Sequence, residues 1–131
     1  MTTIAWDGET LAADGQVTSS FIGQNDSKKI FTKGGKVFAF CGTYSEGYGF
    51  LKRGQPIECD TIVLEFGDKS GIAIYHEKNG SHPIKAPYAI GSGCDFAMGA
   101  MLAGCNAVDA VKIAAKLDPY TGGRINSKKI K

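Results

Sequence analysis

Apolar and polar positions alternate with a period of two in several short runs early in the chain. Thr3–Trp6 and Glu9–Ala13 flank Asp7-Gly8, and Lys29–Thr32 and Lys36–Cys41 flank Gly34-Gly35. A period of two puts successive side chains on opposite faces of a strand. Asp-Gly and Gly-Gly supply the positive φ that tight hairpin turns require, so the pattern predicts two hairpins. A short helix is expected from Thr43 to about Arg53, weakened by Gly47 and Gly49. Thr61–Phe66 and Ile72–Glu77 read as strands joined across Gly67–Gly71. Lys78–Ser81 then turns the chain, the His82-Pro83 step commits it to that turn, and a strand ending at Ile90 follows.

The period then changes. Asp95–Ala103 reads as a helix with Gly104 at its C-terminal stop. Asn106 is a good N-cap with Asp109 in the first turn. Ala107, Ala110, Val111, Ala114 and Leu117 mark one face of a second helix that Pro119 ends. Arg124–Ile130 returns as an edge strand. Paired hairpins with segregated helices imply an α+β layer architecture of antiparallel sheets with helices stacked outside. No repeat, linker or second domain is visible, so residues 1–131 are expected to form a single domain.

Composition narrows the function classes. The chain has 131 residues, 43% hydrophobic and 21% charged, with a formal net charge of +2. That is an ordinary globular balance with enough chain for a sizeable core. Lysines are scattered apart from Lys128, Lys129 and Lys131, which read as a solvated tail. Aromatic and basic residues do not interleave as a single-strand stacking platform requires, so no nucleic-acid partner is expected. No signal peptide or membrane-crossing run is found, and a cytoplasmic protein is expected. Cys41, Cys59, Cys94 and Cys105 lack C-x-x-C spacing and read as small buried hydrophobes. His76 and His82 flank a turn and read as surface histidines, so neither metal nor cofactor is expected.

The candidate chemistry begins at Met1-Thr2-Thr3. With Met1 removed, Thr2 carries a hydroxyl nucleophile and a free α-amine. The amine titrates near ~8, so part of it is neutral at cellular pH and can take the hydroxyl proton, a known arrangement for acyl transfer. Gly91-Ser92-Gly93 is no dinucleotide fingerprint, because position 96 is Phe96 and no βαβ unit surrounds it. Neither a P-loop nor a G-x-S-x-G elbow occurs. What remains is a set of small polar residues at element ends. Asp14 closes the second strand and Lys29 opens the third. Gly42 lies where the fourth strand becomes a helix. Ser92 follows the strand ending at Ile90, and Asp118 and Thr121 follow the last helix. Taken singly, each also suits a turn, a helix entry or a solvated position.

Together they carry a resemblance. Thr2-Thr3-Ile4, Ala13-Asp14-Gly15-Gln16-Val17, Lys28-Lys29, Cys41-Gly42-Thr43, Ala89-Ile90-Gly91-Ser92-Gly93 and Asp118-Pro119-Tyr120-Thr121-Gly122-Gly123 follow one another in this order. In this the chain resembles proteasome β-type subunits. It is most similar to bacterial ATP-dependent peptidase subunits and small proteasome-like proteins of bacteria and phages. The resemblance covers about the first fifty and last forty-five residues. It implies a four-layer αββα sandwich of two antiparallel sheets, of the N-terminal-nucleophile hydrolase type, acting as a threonine peptidase on peptides or unfolded proteins. It matches Thr2 to the nucleophile, Asp14 and Lys29 to the charged pair beside it, and Gly42 to the residue whose N–H faces the oxyanion. Ser92, Asp118 and Thr121 match the group that orients the terminal amine, with Thr121 where the family often has Ser.

The chain also departs from the family. Only Gly47 to Asp60 separates the Gly42 turn from the next strand, room for one short helix where relatives have two long ones. The resemblance implies a homo-oligomer, a ring being one form. The reduced helical layer leaves the ring and an ATPase partner open. Two alternatives stand beside the peptidase: a catalytically silent assembly subunit that keeps Met1, and an amidase acting on small molecules.

Overall fold

Side-chain alternation in the first strand divides the molecule into layers. The computed structural model describes residues 2–18, 22–24, 27–67 and 71–130. Met1, Lys131 and part of the Gly67–Gly71 connection lie outside the described residues. In chain order the elements are β1 (Thr3–Trp6), β2 (Thr10–Ala13), β3 (Val17–Thr18), β4 (Ile22–Gln24), β5 (Ile30–Lys33), β6 (Lys36–Cys41) and α1 (Tyr44–Arg53). They continue with β7 (Ile62–Phe66), β8 (Ile72–Glu77), β9 (Gly80–Lys85), β10 (Tyr88–Gly91), α2 (Cys94–Leu102), α3 (Ala107–Leu117) and β11 (Asn126–Lys129). One antiparallel sheet runs β10-β1-β2-β11, a second runs β5-β6-β7-β8-β9, and β3 pairs with β4 as a ribbon.

Ile4 and Trp6 of β1 point to one side of the first sheet, with Leu11 and Ala13 of β2 and Ile90 of β10. They meet Ala39, Cys41, Leu64 and Phe66 of the second sheet in the inter-sheet core, where the Trp6 and Phe66 rings pack edge to face at 5.0 Å. Ala5 lies opposite Ala12 and Ala89 in register, so a row of three alanines covers the other face. Small side chains let α2 and α3 approach closely, and Ala97, Ala100, Ala107, Ala110 and Val111 pack onto that row. On the far side of the second sheet, Phe40 and Val63 pack on Leu51 of α1 and on Ile57. The order helices, sheet, sheet, helix is the αββα sandwich, and among the described residues α1 is the one helix of the reduced outer layer.

The two hairpins form where their turn residues place them. Gly34 and Gly35 have φ of 60° and 79°, the paired left-handed conformation of a two-residue hairpin turn. The Asn106 side chain caps α3 by accepting from the Asp109 N–H. Gly47 is no weak point in α1, because a β-carbon there would lie 2.2 Å from the Phe40 ring. The glycine lets the helix seat on the sheet.

Four expectations are corrected. The segment before Ile90 is two strands in different sheets, β9 in the second and β10 in the first, parted at Ala86 and Pro87. The His82-Pro83 step is strand, not turn: Pro83 pairs opposite Ile74 on an edge strand, where a missing N–H is tolerated. Leu117, the last residue of α3, is 58% exposed because the chain leaves the helix there for the loop at Asp118. Cys59 is exposed, in the stretch between Ile57 and β7, while Cys41 is buried and Cys94 and Cys105 are partly buried.

Candidate active site

The start of β1 is held between the two sheets' ends by a buried lysine. Asp14 follows β2 directly and Lys29 precedes β5, so each side chain leaves a strand end toward Thr2. Lys29 Nζ stands 2.7 Å from Asp14 Oδ1 and donates to Thr2 Oγ1 at 2.5 Å and to the Gln16 carbonyl at 2.7 Å. Lys29 and Asp14 are both fully or nearly fully buried. Two buried charges need more than each other to offset lost hydration. Asp14 also accepts the Thr3 N–H and the Gly122 N–H, each at 3.0 Å. Burial pulls the Lys29 ammonium below the usual lysine range, and attraction to Asp14 only partly restores it.

The Thr2 backbone nitrogen faces a second group. It donates to Ser92 Oγ at 3.2 Å, and Ser92 Oγ donates to Asp118 Oδ2 at 2.5 Å. Thr121 Oγ1 also donates to Asp118 Oδ2 at 2.7 Å. Its single hydrogen is thereby committed, so Thr3 Oγ1 donates to Thr121 Oγ1 across their 2.7 Å contact. Burial opposes ionisation of Asp118, but the hydrogen bonds from Ser92, Thr121 and the Tyr120 N–H outweigh it and hold the carboxyl below its ordinary value.

Gly42 follows β6 directly, in the turn that leads into α1. With φ of 105°, and with a β-carbon there falling 2.7 Å from Thr61 Cα, no larger residue fits without moving backbone. Gly42 lines a cleft of about 280 Å³ with Thr2, Lys29, Phe40, Tyr44 and Asp60. Cys41 lies in the same cleft, but burial pushes its thiol up to about 12, which leaves it a poor nucleophile. Among the described residues no group of His, Cys, Asp and Glu is arranged to hold a metal, and no helix is long and apolar enough to cross a membrane.

The six residues singled out from the sequence beside Thr2 therefore gather around it: Asp14, Lys29 and Gly42 on the side of its hydroxyl, Ser92, Asp118 and Thr121 on the side of its nitrogen. The sequence reading missed Thr3, Gln16, Gly91 and Gly93. Thr3 and Gln16 stand inside the motifs that carry the resemblance, but they act through backbone groups, the buried Thr3 hydroxyl and the Gln16 side chain, whose Nε2 donates to the Pro119 carbonyl at 3.0 Å. Gly91 and Gly93 did leave a signal, as paired glycines around Ser92: a β-carbon on Gly91 would lie 2.1 Å from the Thr2 carbonyl oxygen.

No protein-family model and no curated protein matches the chain. Solved structures do. HslV from Trypanosoma brucei superposes with a TM-score of 0.73 at 17% identity, over 98% of this chain and 97% of that one. Thiobacillus denitrificans BPH in complex with epoxomicin superposes with a TM-score of 0.73 at 17% identity, over 100% of both chains. A second structure of BPH gives 0.70 at 18% identity, over 99% of this chain and 98% of that one. Likenesses this remote in sequence and this complete in space establish the fold: the chain has the sandwich of HslV and BPH, the proteasome-type fold that its sequence resemblance implies.

Proposed function

We propose that the protein is a threonine peptidase whose nucleophile is Thr2, once Thr2 is freed of what precedes it. The observation that carries this reading is the pair of contacts at one residue: Lys29 on the Thr2 hydroxyl at 2.5 Å and Ser92 on its nitrogen at 3.2 Å. In the processed protein that nitrogen is the α-amine. Thr2 Oγ1 attacks a peptide carbonyl and passes its proton to the amine. The Lys29 ammonium favours the developing alkoxide, and the Gly42 N–H stabilises the tetrahedral oxyanion. The C–N bond then breaks, the leaving amine takes the proton from the Thr2 ammonium, and water activated by the same amine hydrolyses the ester.

Peptides or unfolded proteins are the substrates in this reading, with no cofactor. Among the described residues, Tyr44 of α1 and Asp60 line the cleft beyond the second sheet, and assembly into a homo-oligomer is proposed to shield Thr2. The silent-subunit alternative is favoured only by the single α1 layer. Buried charges without a task are costly, and Lys29 and Asp14 are both buried beside Thr2. The test uses epoxomicin, the compound bound in the BPH neighbour. Protein with Thr2 at its N-terminus should gain the mass of one epoxomicin, localised to Thr2, and should cleave unstructured peptides. An adduct at a cysteine, or no adduct and no cleavage, overturns the peptidase.

A further inference from the structure

A second cavity, of about 440 Å³, borders the Thr2 cleft. The two share Cys41, Gly42 and Asp60, and beyond these the second is walled by Ile62, Tyr75, Tyr88, Ile90, Ser92 and Cys94. The two contacts at Thr2 sort the cavities chemically. Lys29, on the hydroxyl, lines the first; Ser92, on the nitrogen, lines the second. When the peptide bond breaks, the departing nitrogen must receive its proton from the Thr2 amine. The departing half of the substrate therefore lies on the Ser92 side.

We propose that this second cavity receives the side chain of the residue following the scissile bond and selects an aliphatic or aromatic one. The inference rests on the peptidase reading above. Ile62, Tyr75 and Tyr88 are half-buried and Ile90 is buried, so their apolar surfaces are present before substrate arrives. The Tyr75 and Tyr88 rings already meet edge to face at 6.0 Å, a wall that needs no ordering on binding. The carboxylate in the lining is Asp60, exposed at the rim and accepting from Thr43 Oγ1. It repels an acidic side chain entering from the cleft.

The test is a set of peptides identical up to the scissile bond and bearing Leu, Phe, Gly, Asp or Arg after it. Leu and Phe should exceed Gly in kcat/KM by roughly tenfold or more, with Asp the poorest. Ile62→Asp should cut the Leu-to-Gly ratio about tenfold. Ile62→Ala should cut it less, and serves if the Asp variant does not fold. Equal rates for Leu and Gly, a preference for Arg, or a ratio that neither variant changes overturns the selection while leaving the peptidase in place. No cleavage of any peptide together with no epoxomicin adduct overturns both.

Discussion

Gly93 and Thr3 approach so closely that a β-carbon on the glycine would lie 2.1 Å from the Thr3 hydroxyl oxygen. The same β-carbon would fall 3.1 Å from Thr121 Oγ1. The glycine thus makes room for the hydroxyl chain from Thr3 through Thr121 to Asp118, and with it for the seat of β1.

Gly93→Ala should therefore break that chain. Overpacking a filled site costs about 1–3 kcal/mol, and the buried Thr3 and Thr121 hydroxyls can make room only by giving up their mutual hydrogen bond. Denaturant unfolding should show the loss as a lower midpoint with an unchanged slope.

Lys29→Ala should reduce turnover by at least about a hundredfold, the scale of losing one preorganised electrostatic contact. Stability should fall by about 1–3 kcal/mol. The loss stays below that of a fully orphaned charge because Asp14 keeps its bonds from the Thr3 and Gly122 N–H groups. Peptide cleavage and thermal unfolding of the same preparation separate the two effects.

Gly42→Ala should disable the site by a different route. The backbone φ of 105° and the 2.7 Å approach to Thr61 Cα oblige the 41–43 segment to shift, carrying the amide away from Thr2. Turnover should fall about 10²–10³-fold. Rates measured with saturating peptide should carry most of the fall, because in the proposed mechanism the amide acts on the transition state.

Asp118 gives a pH signature. Its folded-state carboxyl titrates below the ordinary 3.8, so in acid the unfolded chain binds the proton more readily than the folded one. The stability it contributes is complete above the ordinary value and disappears as pH falls through the lowered one. Asp118→Asn should be less stable than the parent protein at pH 7, and the gap should shrink as pH drops below 3.8. A gap that stays constant into acid would show that Asp118 does not titrate as described.

Much of the fold was legible because local chemistry and tertiary packing agree. Gly34-Gly35 demands a tight turn wherever it sits, and Asn106 caps a helix without help from elsewhere. The failures lie where tertiary partners decide. Pro83 reads as a turn residue until it has an edge strand to occupy, and nothing near Ala86-Pro87 says that the flanking strands join different sheets. Gly47 reads as a helix flaw until Phe40 is seen against it. The site divides similarly. Thr2, Asp14, Lys29, Ser92, Asp118 and Thr121 stand at element ends, where a polar side chain is conspicuous, and Gly42 stands at the turn from β6 into α1. Gln16 supplies its carbonyl to Lys29, and any residue type carries a carbonyl.

The ring of contacts around Thr2 is closed by residues from opposite ends of the chain: Thr3 meets Thr121, and Asp14 takes the N–H of Gly122. During synthesis this imposes an order. A ribosome-bound chain that has not yet released Asp118 through Gly122 has no carboxylate behind Ser92 and only part of the cradle for Asp14. The surroundings of Thr2 are therefore complete only once the 118–122 segment has emerged.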